Sequence, residues 1–240
     1  MLGMPEPTPY DLRFRFLGIP VRVHPSFWLV AALLGSVDDR GFNPQSTLLW
    51  VACVFVSILV HEYGHGLMSR IFRCSPAIAL YGMGGVCYSE AERQSPWQRL
   101  AVLISGPGAG FLLLFLIIGG WYVLGRSELN LLGKQILGEM FRINLYWSLL
   151  NLFPIWPLDG GQIAGVVLSM INRRKGTGWA HVVSLLTAGI LALLAFQQEN
   201  FFFLGIFFAY FAVINFQVLQ SLHHAAKYGS VEDDADWWRR

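Results

Sequence analysis

Leu48-Leu49-Trp50-Val51-Ala52-Cys53-Val54-Phe55-Val56-Ser57-Ile58-Leu59-Val60 carries no charge and runs directly into His61-Glu62-Tyr63-Gly64-His65. An uncharged run of this kind reads as a membrane helix, here spanning 48 to 68 and ending at Arg70 and Arg73. On a helix, His-Glu-x-x-His sets two imidazoles one turn apart on one face with a carboxylate beside them. That is a pair of zinc donors with an adjacent base, and the uncharged approach puts it inside a bilayer.

The composition agrees. Of 240 residues, 55% are hydrophobic and 13% charged, about half the charged fraction of an ordinary soluble domain. The chain reads as an integral membrane protein. Its net charge of +2 offers no footprint for a polyanion, so nucleic acid is not an expected partner. Cys53, Cys74 and Cys87 are odd in number and lack paired spacing, which fits apolar filling rather than disulfides or thiolate metal ligands. The first residues are rich in proline and polar groups and do not resemble a cleaved leader.

Outward from the motif, the expected fold is an all-α polytopic membrane protein of about six transmembrane helices with a small membrane-associated β-hairpin near the active site. The spans are placed at 27–37 (short for a crossing), 48–68, 100–124, 143–158, 179–196 and 201–219. A flexible tail is assigned to 1–13, a membrane-embedded core to 14–221 with the metal site within 48–159, and a polar tail to 222–240. The alternation in 14–25 suits a short interfacial strand or turn. Residues 78–81, 82–85 and 86–89 read as strand, glycine turn and strand, an edge at Gly82, Gly84, Gly85 and Val86 that can take an extended peptide as an added strand. A glycine-rich loop that only packs is the competing reading. Ser105-Gly106-Pro107-Gly108-Ala109-Gly110 interrupts the third span with small residues, which let helices approach closely in a membrane.

A catalytic zinc takes three protein ligands and keeps one position open, so two histidines need a third partner. All acids except Glu62 and Asp159 fall in predicted loops, connections or ends. By elimination Glu62 is the base and Asp159 the third ligand, giving metal-assisted hydrolysis of an amide. Asp159 also fits a loop or helix-capping acid in its Pro-Leu-Asp-Gly-Gly setting. Asn151 suits either a donor to a developing oxyanion or a simple interhelical hydrogen bond. His24, His181, His223 and His224 fall near membrane boundaries or in the tail and are assigned solvated or capping roles.

His61-Glu62-Tyr63-Gly64-His65 together with Asn151-Leu152-Phe153-Pro154-Ile155-Trp156-Pro157-Leu158-Asp159-Gly160 resembles the paired signature of the site-2 protease family of intramembrane zinc metalloproteases. The glycine hairpin at 82–85, the Ser-Gly-Pro-Gly stretch at 105–108 and Arg22-Val23-His24-Pro25-Ser26-Phe27 resemble it too, over roughly residues 14 to 175. The resemblance implies that His61, His65 and Asp159 bind one Zn2+, that Glu62 is the general base, and that Asn151 assists at the oxyanion. It also implies a transmembrane protein substrate, cut in or near the lipid bilayer and presented as an extended strand by the hairpin. The chain looks like a compact form without the peptide-binding or nucleotide-sensing domains of many relatives, so regulation by those routes is not expected. A regulatory membrane partner is left unspecified.

Other readings stay open at this point. A zinc-binding transporter needs polar ligands stepped across several spans, whereas here they gather in two; a non-proteolytic scaffold has no use for Glu62. Cobalt or iron suits the same donors. Thirteen basic residues, from Arg13 to Arg240, share one side under the six-span reading, against Arg40, Arg126, Lys134 and Arg142 on the other. This imbalance predicts cytoplasmic N- and C-termini, with the site towards the cytoplasm.

Overall fold

The computed structural model describes residues 6–36, 43–89, 94–123, 130–198 and 201–228. Expectations for the loop at 38–42, the polar stretch at 90–93, the connection at 124–129 and the two chain ends lie outside these residues. The chain divides into two compact units, residues 1–150 and 151–240.

The first unit opens with a β-sheet. Strands β1 (Leu12–Phe16) and β2 (Ile19–Val23) form a hairpin whose two-residue turn has positive φ at Leu17 and Gly18, the geometry that matches the twist of paired strands. Asp11, just before β1, accepts hydrogen bonds from the Thr8 amide (3.1 Å), the Thr8 hydroxyl (2.7 Å) and Arg22 (3.4 Å). The flexible tail expected up to residue 13 therefore ends earlier, because one carboxylate ties this turn to β2 and β1 starts at Leu12.

Helix α1 (Pro25–Ser36) follows, then α2 (Pro44–Ile71). Asn43 caps α2, accepting from the amides of Gln45 and Ser46, with Pro44 at the first helical position. Strands β3 (Ala77–Tyr81) and β4 (Gly84–Tyr88) form a second hairpin. The hairpins join by parallel pairing of β2 with β3, so the expected lone hairpin is half of a four-stranded sheet in the order β1-β2-β3-β4. The turn is Gly82-Met83; Gly84 and Gly85 belong to β4. Ile19, Val21, Val23, Ile78 and Leu80 of the sheet pack with Phe27, Ile58 and Tyr63 into a buried cluster. Tyr63 donates its hydroxyl hydrogen to the Phe16 carbonyl at 2.9 Å, and Arg70 donates to the Leu17 carbonyl. Both bonds hang the first hairpin on the motif helix.

Helix α3 (Pro96–Val123) starts with a reciprocal cap, Ser95 and Gln98 each bonding the other's amide, and continues without a break through Pro107. Helix α4 (Leu131–Asn151) begins beneath an Asn130 cap at the Gly133 amide. This corrects the expected span at 143–158. Lys134, Glu139 and Arg142 made the first half of α4 look like a connection, but charge does not stop a helix. Pro154 does: it lacks an N–H and disfavours helical geometry in the residue before it.

The second unit holds α5 (Asp159–Ile171), α6 (Gly176–Phe196) and α7 (Phe202–Tyr228). Asp159 thus starts a helix rather than ending one. Helix α7 continues beyond the expected end at 219 and into the stretch read as a polar tail.

Among the described residues, four helices are long and apolar enough to cross a membrane, α2, α3, α6 and α7. The expected count of about six is approximate: two further apolar helices are shorter. Helix α1 has 12 residues and α5 has 13, about 18 to 20 Å at 1.5 Å per residue, short of a hydrocarbon core of about 30 Å. Large apolar side chains such as Phe115, Leu116, Leu193 and Phe203 point outward, while Ser57, Glu62, Asn144, Ser148, Ser184 and Asn215 are buried. Such a surface suits lipid, and the chain is an integral membrane protein.

Candidate active site

About one turn of α2 brings His61, Glu62 and His65 into the interior of the first unit, with 2%, 4% and 7% of their surfaces exposed. The two Nε2 atoms face each other at 3.2 Å. His65 Nδ1 lies 2.7 Å from the Val102 carbonyl on α3. A carbonyl oxygen only accepts, so Nδ1 carries the hydrogen and the Nε2 lone pair is directed towards His61. Fixing a ligand's tautomer through its other nitrogen is how proteins prepare histidine for a metal. Two converging, buried imidazoles, one already committed as an electron-pair donor, fit a zinc ion.

The small-residue stretch of α3 makes this geometry possible. A Cβ on Gly106 would lie 2.1 Å from His65 Nε2, and one on Gly64 would lie 2.2 Å from the Ser105 carbonyl oxygen. Ser105 donates its hydroxyl hydrogen within reach of both the Gly64 and Val102 carbonyls, at 2.9 and 2.6 Å. The glycines therefore serve packing and site together, as close helix approach requires.

Strand β4 covers Glu62. A Cβ on Gly85 would meet Glu62 Oε1 at 2.5 Å, so a bare backbone lies against the carboxylate. Gly84, at φ +120°, packs on Trp147, where a Cβ would lie 2.9 Å from the indole. Gly82 donates its amide to the Ser26 hydroxyl at 3.0 Å, and Val86 pairs with Ala79. Strand β4 is one of the two outer strands of the sheet. Burial pushes the Cys87 thiol up, and the Glu62 charge pushes it further in the same direction. Cys87 is held as a neutral thiol, in keeping with a filling role.

Trp147 was not foreseen. Its ring stands 6.4 Å from the His61 ring at 80° and forms an aromatic wall on α4. Val102 was likewise missed, because a backbone carbonyl leaves no mark in a residue pattern. His24 does cap: it precedes α1, and its Nδ1 accepts from the Ser26 amide at 3.1 Å and lies 2.7 Å from the Ser26 hydroxyl.

In the second unit, Asn151 (7% exposed) precedes a turn that leads to Asp159, also 7% exposed. The two residues belong to different helices, not to successive turns of one. Asp159 lies in the first turn of α5, where the helix dipole favours a carboxylate. The cap position itself is Leu158, which makes no side-chain capping bond. Asp159 is therefore not the N-cap of α5. Carbonyls of Leu152 and Phe153 sit where a Cβ on Gly160 would be, at 2.2 and 2.4 Å, so the glycines after Asp159 let the turn fold over the start of its helix. His181, expected near a solvated boundary, is 6% exposed inside α6, because its ring is hydrogen-bonded to Asn215. All three expected metal ligands are buried.

The sequence pattern of peptidase family M50 matches residues 49–134 and 132–196. The chain belongs to peptidase family M50. It is 35% identical over 173 residues to a putative zinc metalloprotease of Synechocystis, an alignment covering 66% of this chain and 45% of that one. A zinc metalloprotease of Methanocaldococcus jannaschii is 26% identical over 80% of this chain and 56% of its own. Stage IV sporulation protein FB of Bacillus subtilis is 28% identical over 73% and 56%. The chain spans about half the length of these relatives. The solved site-2 protease from Methanocaldococcus jannaschii matches it in fold, with a TM-score of 0.58 and 24% identity over 92% of this chain and 98% of that one.

Proposed function

We propose that this chain is an intramembrane zinc metalloprotease that hydrolyses peptide bonds in or near transmembrane segments of other membrane proteins. The observation that carries this reading is the meeting of three things in the first unit: converging imidazoles, a buried carboxylate beside them, and a glycine backbone of an outer strand against that carboxylate. A base next to metal donors serves hydrolysis, and an outer strand next to the base serves an extended peptide.

His61, His65 and Asp159 would hold one zinc ion, which would supply the Lewis acidity that makes water a better nucleophile and the scissile carbonyl a better electrophile. The Glu62 carboxylate takes a proton from the attacking water and delivers it to the departing amine nitrogen. The Asn151 amide donates to the oxygen that gains charge. The outer edge of β4 from Gly82 to Val86 binds the substrate backbone, and the absence of a side chain at Gly85 leaves room beside Glu62. The described helices offer lipid an apolar surface, and the partner is a membrane protein whose helix unwinds locally into a strand.

Metal removal tests this directly. Protein in detergent, incubated with a labelled transmembrane peptide, is expected to lose cleavage on treatment with a zinc chelator and to regain it at one zinc per chain. Undiminished cleavage by metal-free protein would overturn the reading.

The basic residues near the ends of α2 and α5, including Arg70, Arg73 and Arg173-Arg174-Lys175, support cytoplasmic termini with the site on that side. An Arg174→Cys variant in a cysteine-free background is expected to react with a membrane-impermeant maleimide only after the cells are opened. Labelling of intact cells would reverse the orientation.

A further inference from the structure

The last two helices contain none of the proposed ligands or acids, yet they bury a polar chain that ends on the turn before Asp159. Asn215 of α7 is fully buried. Its Nδ2 donates to the Trp156 carbonyl at 2.8 Å and to the Phe211 carbonyl at 2.8 Å. Its Oδ1 lies 2.8 Å from His181 Nδ1; an amide oxygen only accepts, so His181 donates. Ser184 of α6, also fully buried, accepts from the Trp156 amide at 2.9 Å and donates to the Ala180 carbonyl at 2.8 Å. The Trp156 ring packs edge-on to His181 at 5.5 Å.

Both backbone polar groups of Trp156 are thus satisfied by side chains from α6 and α7. In a membrane interior an unpaired backbone group costs several kcal/mol, so such partners fix the position of the peptide they hold. Three residues further on is Asp159, and the intervening chain is short and braced. The Leu158 amide donates to the Ile155 carbonyl at 2.8 Å, and Gln162 Nε2 donates to the Pro157 carbonyl at 3.1 Å. A Cβ on Gly161 would lie 2.2 Å from the Trp156 nitrogen, so this turn sits directly on the first turn of α5. Little slack separates Asn215 from the carboxylate.

We propose that Asn215, together with Ser184 and with His181 as its own orienting partner, is a positioning residue for Asp159. Helices α6 and α7 thereby act on the metal site through the backbone of Trp156 rather than through any ligand of their own. This rests on the proposed role of Asp159 as a zinc ligand. The polar group acts at one remove from the ligand, the distance at which outer partners commonly change metal affinity 10- to 100-fold.

The experiment measures zinc affinity of the detergent-purified chain by competition with a chromogenic chelator, alongside thermal unfolding. Asn215→Leu is expected to weaken zinc binding about 10- to 100-fold, and Ser184→Ala to weaken it less. His181→Gln, which keeps a donor for Asn215, is expected to bind zinc more tightly than His181→Leu. Phe207→Ala, which strips a ring packed on Phe211 at 4.4 Å in the same helix, lowers stability and is expected to leave zinc affinity unchanged. The positioning role is overturned if Asn215→Leu keeps the parent affinity, or if Phe207→Ala weakens it equally. Should Asn215→Leu fail to fold, Ser184→Ala and the His181 pair decide by the same criterion. Asp159→Ala separates the two claims. If it loses zinc while the folded Asn215 and Ser184 variants do not, only the positioning role falls; if it keeps the parent affinity, the ligand assignment falls and the positioning role with it.

Discussion

Glu62→Gln is expected to lower the rate of peptide cleavage about a thousandfold, within the range lost when a positioned general base is removed, while zinc content stays at one per chain. The two side chains have nearly the same shape. Glu62 is 4% exposed and lies beneath Gly85, so glutamine can occupy the same space without disturbing β4 or the neighbouring histidines. What it cannot do is accept the water's proton. A variant that binds zinc normally and unfolds at the parent temperature isolates the chemical step from assembly. Cleavage within tenfold of the parent would show that another group moves the proton and would remove Glu62 from the mechanism.

Gly106→Ala is expected to abolish zinc retention, and activity with it, though it adds one methyl group far from the sequence motif. The new Cβ would fall 2.1 Å from His65 Nε2 and 2.3 Å from Cε1. His65 has little freedom to yield, since its other nitrogen is bonded to Val102, one helical turn away on the same helix as Gly106. Either the ring leaves its bond or α3 moves off α2, and Gly64, with the Ser105 carbonyl in the place of its Cβ, shows how tight that contact is. Gly108→Ala is the internal comparison. Nothing lies within 4 Å of a Cβ at Gly108, so it is expected to keep zinc and activity. Equal behaviour of the two variants, measured as zinc per chain after dialysis, would contradict the packing described for His65.

Much of this was legible in the residues. His61, Glu62 and His65 stand out because polar side chains are costly in an apolar helix, and Gly106 and Gly85 mark places where only a missing side chain lets two surfaces meet. The small residues at 105–110 are legible both as close packing and as a loss of bulk near the site, but sequence does not say which neighbour each glycine accommodates. Helix ends were harder. Lys134, Glu139 and Arg142 hid the first half of α4, because hydropathy reports on solvent preference and not on backbone conformation. Pairing between β2 and β3 was not legible at all, since partners separated by two helices leave no local pattern. Asn215 did leave a signal, a lone amide in the aromatic-rich run from Phe201 to Phe216, as did His181. His181 was weighed by its distance from a membrane boundary and Asn215 was not weighed at all, since sequence does not show that the two form a pair.

The parallel pairing of β2 with β3 also dictates an order of assembly. Each hairpin can close on its own residues, but Val21 meets Ile78 only after α1 and α2 have emerged between them. Closing so long a loop is slower and entropically dearer than forming either hairpin. A nascent chain therefore holds the His61–His65 helix before it holds the strand that covers Glu62. The cover over the carboxylate is thus added after the helix that carries it, and Glu62 stands open until β4 has followed α2 out and the sheet has closed.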